Sequence, residues 1–405
     1  MSSRSTAGVA NELGLAASTL RRWIDGGLVD TDATGAVTER GVAQARVIRR
    51  LRARGYSLKQ IADASERGML ASSHLEALPD SGLRWSIKKA AREVGVNRKL
   101  AAQLLTAAGV SIGEDEEIGE LELELLRAVA TVLESGVPLP VVLQLARVYG
   151  QAVSQVADAE VRLIHHHVHE PLMRSGMSGR DVVDQIQSLA SEVLPLTSPV
   201  LGLMHQYYLR VFTEQDVIGH MEELAAGAGG GEQPKERDEL TRVRVAVAFA
   251  DLAGYTRLTE ELGDARAVDT VERFVASIAS SLPSEARVTK TIGDEAMIVS
   301  PDIPALVRWA VSFQAQEIEP SARIGLHCGQ ALFYEGDYYG REVNLASRVA
   351  ARAAAGEVVV TGTVAELKPP GVSFDRLGEI KLRGFSSPTE IFLAVPRASE
   401  DKTRG

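Results

Sequence analysis

FADLAGYT, Phe249 to Thr256, closes a run of small and β-branched apolar residues, VRVAVAFA from Val243 to Ala250, and sets an acid, Asp251, where the chain turns. A β-branched run of this kind, ending on an acid where the chain changes direction, predicts a strand. Outward from it, RVTKTI (Arg287 to Ile292), AMIVS (Ala296 to Ser300), ARIGLH (Ala322 to His327) and EVVVT (Glu357 to Thr361) repeat the β-branched pattern between stretches of helical period. The region 241–397 therefore reads as an α/β or α+β domain. Upstream, apolar residues recur every three or four positions, which predicts an all-α half. Between the two lies LAAGAGGGEQPKERDEL, Leu224 to Leu240, which has no apolar period and reads as a linker.

The chain has 405 residues, enough for several domains, and its 45% hydrophobic and 24% charged content excludes wholesale disorder, a fibrous repeat or a disulfide miniprotein. No apolar run is long enough to cross a bilayer and the amino terminus lacks a signal-peptide pattern, so a cytoplasmic protein is expected. A single cysteine, Cys328, allows neither an internal disulfide nor a cysteine metal site. The net charge of −10 argues against nucleic-acid binding by the whole chain.

The helical half carries an internal repeat. A shift of 81 residues places Glu12, Gly14 and Gly55 on Glu93, Gly95 and Gly136, and VANELGL on AAREVGV. Each copy predicts a short helix, a glycine turn, a second helix, a polar wing-like stretch and a third helix. The first copy resembles the amino-terminal helix-turn-helix domain of the MerR regulators, with Ser18, Thr19, Arg21 and Arg22 opening the second helix; its domain is set at 1–75. From Met1 to Arg67, 11 Lys or Arg face 7 Asp or Glu; from Arg84 to Arg147 the ratio is 8 to 9. Only residues 1–67 therefore keep a charge balance compatible with DNA, and a solvated structural face is the competing reading. In HHHVHE, His165 and His169 share a helix face beside Glu170, open to reading as a metal site, a pH sensor or a plain packing run. The apolar stretch Val193 to Phe212 reads as core, dimer seam or an apolar pocket.

The carboxy-terminal half concentrates residues of one chemistry. Asp251 ends the first strand, and in VTKTIGDEAMIV the glycine Gly293 permits a tight turn that delivers Asp294 as a second carboxylate. Two such acids suit Mg²⁺, which takes hard oxygen ligands. Backbone amides of Leu252 and Ala253, at a helix start, are candidate donors to phosphate oxygens. EGDYYGREVNLASR then supplies Asp337, Asn344 and Arg348, the last two one helical turn apart. FADLAGYT, KTIGDEAM and DYYGREVNLASR, in this order, resemble the catalytic domain of the class III nucleotidyl cyclases from Arg242 to about Pro396. The resemblance implies a ferredoxin-like βαββαβ fold and two Mg²⁺ or Mn²⁺ ions per active site, held by Asp251, Leu252 and Asp294. It implies that Lys290 and Asp337 read adenine, that Asn344 orients the ribose, and that Arg348 offsets charge on the α-phosphate. Arg383, in EIKLRGFSSPTEIFLA, would contact the triphosphate, since Gln330 stands where some relatives have an arginine. The Lys and Asp pair resembles the ATP-selecting type.

In that family acids and base readers of one site come from different subunits, so the resemblance implies a homodimer with two shared sites. Trp85 to Met221 also resembles the helical regulatory region that precedes the cyclase domain in some actinobacterial members, here set at 84–223. The expected activity is adenylate cyclase, ATP to 3′,5′-cyclic AMP and pyrophosphate, controlled by the helical half. The alternative is a MerR-like regulator that senses nucleotide without turning it over. A diguanylate cyclase, hinted at by GDEAM, is disfavoured by Ile292, where that signature has a second glycine.

Overall fold

The computed structural model describes residues 4–69, 85–112, 117–225, 242–316 and 320–397. The expected boundary between 75 and 84, and the expected linker from residue 226 on, lie outside the described residues. The chain divides into two compact units, Met1–Leu209 and Arg210–Gly405.

The amino-terminal unit is built twice on one plan. Helices α1 (Thr6–Glu12), α2 (Ala17–Asp25), α3 (Glu39–Ala53) and α4 (Leu58–Glu66) are followed by strand β1 (Trp85–Ser86), α5 (Ile87–Glu93), α6 (Arg98–Ala107), strand β2 (Glu117–Ile118), α7 (Glu120–Glu134) and α8 (Leu139–Ile164). The predicted shift of 81 maps α1 onto α5 and α3 onto α7 end to end, and maps the bridge Arg4–Val37 onto the β1–β2 pair Trp85–Ile118. The helix starts follow side-chain chemistry. Ser5, Thr38, Ser86 and Asn97 each accept a first-turn amide, and Ser57 forms a capping box with Gln60. The two cores correspond as well. Val9, Leu20, Trp23, Val37, Val42 and Ile61 fill the first, and Ala90, Ala101, Leu104, Ile118, Leu123 and Val142 hold the same places in the second.

After α8 come a π-helical turn, His165–His169, the short α9 (Glu170–Arg174) and α10 (Gly179–Ala225). The boundary between the two units falls inside α10. Leu196, Leu203, Met204 and Tyr207 of α10 are exposed, so the stretch from Val193 is not the core that its composition allowed.

The carboxy-terminal unit is an α/β domain on one sheet. Its elements are β3 (Arg242–Leu252), α11 (Tyr255–Leu262), α12 (Asp264–Ser281), β4 (Arg287–Ile292), β5 (Glu295–Ser300), α13 (Ile303–Gln314), β6 (Ala322–Tyr334), β7 (Asp337–Tyr339), α14 (Arg341–Ala350), β8 (Val358–Thr361), α15 (Gly362–Ala365), β9 (Val372–Ile380) and β10 (Thr389–Pro396). The strand order is β4-β5-β3-β6-β8-β10-β9, with β7 paired to β6. β3 lies inside the sheet, between β5 and β6, and both its faces are covered by apolar packing. On one face Ala246, Ala248 and Ala250 are small enough to admit Phe274, Trp309 and Phe313 of α12 and α13, whose rings pack together. On the other face Val245, Val247 and Phe249 meet Val343, Ala346 and Ala350 of α14. Period-two alternation thus puts Asp251, next in the odd series, on the α14 side.

Candidate active site

Asp251 sits 8% exposed at the end of β3, opposite Arg323 in the β6 ladder, and Arg323 Nε donates to its Oδ2 at 2.6 Å. Asp294 arrives from the β4–β5 hairpin, where Ile292 pairs with Glu295 across a two-residue turn and Gly293 takes φ 64°. Only glycine adopts that angle cheaply at the first turn position, so the sequence signal and the geometry have one cause. The two carboxyls converge. Burial, then a hydrogen bond and repulsion from Asp251, push the Asp294 carboxyl up to about 6. The neighbouring Glu295 is also raised, first by burial and then by the same two acids.

Lys290 lies on β4 where a bulge shifts the register between Val288 and Lys290. Its ammonium forms an ion pair with Asp337 of β7, and it lies over the Tyr339 ring, 5.8 Å from the centroid. The expected residues are therefore gathered as two pairs, Asp251 with Asp294 and Lys290 with Asp337. Asp337 pairs with Tyr334 where β6 ends, whereas Arg323, the partner of Asp251, stands where β6 begins. Asn344 and Arg348 are exposed on α14, and Arg383 is exposed in the 381–388 loop; none of the three joins either pair.

One expectation is corrected. The Ala253 amide is not free for phosphate, because it donates to the Ser321 carbonyl at 2.9 Å, extending the β3–β6 pairing past Leu252. Two features went unread in the sequence. Arg323 becomes visible only once β6 is registered against β3. His327, 4% exposed on β6, meets Glu342 of α14, and no local spacing signals that contact.

Among the described residues there is no group of three or more His, Cys, Asp or Glu that could hold a metal. The donor set nevertheless fits Mg²⁺ or Mn²⁺. Such ions are commonly held by one or two carboxylates with substrate phosphates completing the shell, and two acids forced together by the fold are relieved by a cation between them.

Residues 239–394 match the family model described as "Adenylate and Guanylate cyclase catalytic domain". The carboxy-terminal half is an adenylate cyclase catalytic domain. Residues 25–212 match a second model, "Adenylate cyclase regulatory domain". The chain is similar to an adenylate cyclase of Streptomyces griseus, at 29% identity over 290 residues, covering 70% of this chain and 68% of the relative. It is also similar to a Mycobacterium tuberculosis protein named as a pH-sensitive adenylate cyclase, at 28% identity over 367 residues and 86% and 87% coverage. Among solved structures, the adenylyl cyclase CyaB of P. aeruginosa is 25% identical, covering 39% of this chain and 96% of its own, with a TM-score of 0.35. No helix among the described residues is long and apolar enough to cross a membrane.

Proposed function

We propose that this adenylate cyclase converts ATP to 3′,5′-cyclic AMP and pyrophosphate at two equivalent sites, each shared between the two copies of a homodimer. The observation that carries the reading is the β4–β5 hairpin. It delivers Asp294 to Asp251 at its tip and Lys290 to Asp337 on its flank. The strand order β4-β5-β3-β6 with its intervening helices supports a ferredoxin-like core.

In each site Asp251 and Asp294, with the Leu252 backbone, would hold Mg²⁺ or Mn²⁺, which supplies charge neutralisation at phosphate and acidifies the ribose 3′-hydroxyl. Lys290 donates to ring nitrogen N1 of adenine and Asp337 accepts from its 6-amino group, an edge on which guanine carries an N–H and a carbonyl instead. Asn344 orients the ribose. Arg348 meets charge on the α-phosphate as the O3′–Pα bond forms and the bond from Pα to the bridging oxygen breaks. Arg383 steadies the leaving pyrophosphate. The acids come from one copy, and Lys290, Asp337, Asn344 and Arg348 from the other.

Control by the helical half is supported by Phe212 of α10. Its ring stacks on Arg287, 4.6 Å from the centroid, and Arg287 donates to the Tyr338 hydroxyl at 2.8 Å, one residue from Asp337. A shift of α10 at Phe212 therefore reaches the base-reading pair. Sensitivity to pH is supported by His169, which is 8% exposed, with Nε2 2.9 Å from the Gly68 carbonyl and Nδ1 3.1 Å from Nδ1 of His165. One imidazole nitrogen of that close pair must accept the other's N–H, so the contact requires one ring to keep a bare nitrogen. Glu170 and Arg174 face the same cluster. A second reading, duplex DNA bound through residues 1–67, is favoured by Arg21 and Arg22, both exposed on α2; a salt-dependent gel shift tests it.

The test of the shared site mixes Asp251→Ala and Lys290→Ala chains. Random pairing makes half the dimers heterodimers with one intact site of two, so about a quarter of wild-type turnover returns. Verified heterodimers without turnover refute the reading.

A further inference from the structure

We propose that His327 and Glu342 are positioning residues that fix the height and rotation of α14 on the sheet, and through it the placement of Asn344 and Arg348. The inference rests on the proposed roles of those two side chains. Along β6, period two turns Gly325, His327 and Gly329 toward α14. A Cβ at Gly325 would lie 2.1 Å from the Ala350 amide nitrogen, and one at Gly329 would lie 2.8 Å from Cγ of Glu342. The helix backbone thus rests on bare strand backbone at its last residue, and in its first turn the Glu342 side chain lies against the bare backbone of Gly329. Between these two contacts stands His327.

The remaining packing beneath α14 is Val343, Leu345, Ala346 and Val349 against apolar strand residues, which is non-directional and resists neither a small slide nor a small roll. The His327 contact is directional. Nε2 donates to Glu342 Oε2 at 2.5 Å, and Nδ1 accepts from the Thr361 hydroxyl of β8 at 2.8 Å. Thr361 in turn lies 2.9 Å from the Thr363 hydroxyl, so each member of the buried chain has a partner. Burial holds the His327 pKa below its ordinary value, which favours the neutral tautomer this chain requires. The exposed Arg341 reaches the other oxygen of Glu342 at 3.5 Å, leaving Oε2 to the histidine.

At 3.6 residues per turn, Asn344 and Arg348 lie roughly 200° and 240° around the helix from Glu342, so any roll that the Glu342–His327 bond prevents would swing both across the site. A misplacement on the order of 1 Å costs about 100-fold in rate.

The experiment uses the full chain with ATP and Mn²⁺, reading kcat, KM and thermal midpoint together. Glu342→Ala lowers kcat by about 10- to 100-fold with KM within about threefold, whereas Glu342→Gln, which still accepts from Nε2, stays within about fivefold. In an Arg348→Lys background, Glu342→Ala costs less than about threefold more, because the two changes disturb one interaction. Should Glu342→Ala not fold, Thr361→Val removes the hydroxyl behind His327 at nearly constant volume, and a fall in kcat at unchanged KM is again expected. A lowered midpoint with unchanged kcat, or losses that multiply in the double variant, would show a merely structural pair and overturn the inference. Wild-type kcat in Arg348→Lys alone would instead sink the catalytic role of Arg348, and the inference with it.

Discussion

Adding one methyl group at Gly325 is expected to slow the reaction without touching any side chain that meets substrate. The new Cβ would lie 2.1 Å from the Ala350 nitrogen and 2.2 Å from its Cα. Both are backbone atoms in the last turn of α14, so no side chain can swing aside. Ordinary carbon contact begins near 3.4 Å, and the C-terminal end of the helix must therefore lift by about 1.3 Å. Overpacking of this kind costs about 1–3 kcal/mol, equivalent to a fall in thermal midpoint of roughly 2–12 °C for a domain of this size. Arg348 sits two residues from the collision and moves almost the full distance. Lys290 and Asp337 lie on β4 and β7 and stay put. For Gly325→Ala, kcat should drop about 100-fold while KM for ATP changes less than about threefold. Steady-state cyclic AMP formation against ATP concentration, with a thermal melt of the same sample, measures both. A variant with a lowered midpoint and wild-type kcat would refute the link between the seat of α14 and the chemistry. One unchanged in both would refute the close approach itself.

Exchanging the base readers, Lys290→Glu with Asp337→Cys, should swing the ATP to GTP ratio of kcat/KM by at least about 100-fold toward GTP, because the donor and acceptor then mismatch adenine; a ratio unmoved by the exchange would remove both residues from base recognition. Changing His165, His166, His167 and His169 together to Gln should flatten the activity profile between about pH 5.5 and 8, and coincident profiles for the two proteins would dismiss the cluster as a sensor. His327 gives a separate pH signature, in stability. Its folded pKa lies below the unfolded value, so its contribution is present above about 6.5 and is lost as pH falls, the unfolded chain taking up the proton that the folded chain resists. Thermal midpoints of His327→Gln should accordingly fall less steeply than wild type from about pH 7 to 5.5; parallel slopes would contradict the burial argument.

What could be read from the sequence was whatever local chemistry determines. The five β-branched runs became β3, β4, β5, β6 and β8, and the 81-residue repeat was legible because equivalent caps and turn glycines must recur wherever the same helix ends recur. Asp294 was legible because a two-residue turn needs Gly293 before it. Arg323 was not, since its meeting with Asp251 depends on how β6 registers against β3, a pairing 72 residues apart that no short window contains. Glu342 was hidden for a related reason. It falls in the quoted segment EGDYYGREVNLASR, where Asn344 and Arg348 announce themselves by spacing, yet its partner is reached only after α14 folds back onto β6. The bare stretch Gly325, His327, Gly329 is the one trace such a contact leaves in the sequence. A histidine flanked at two-residue intervals by glycines, in the buried middle of a strand, marks a place where a helix comes down onto backbone and needs a single polar peg to hold it there.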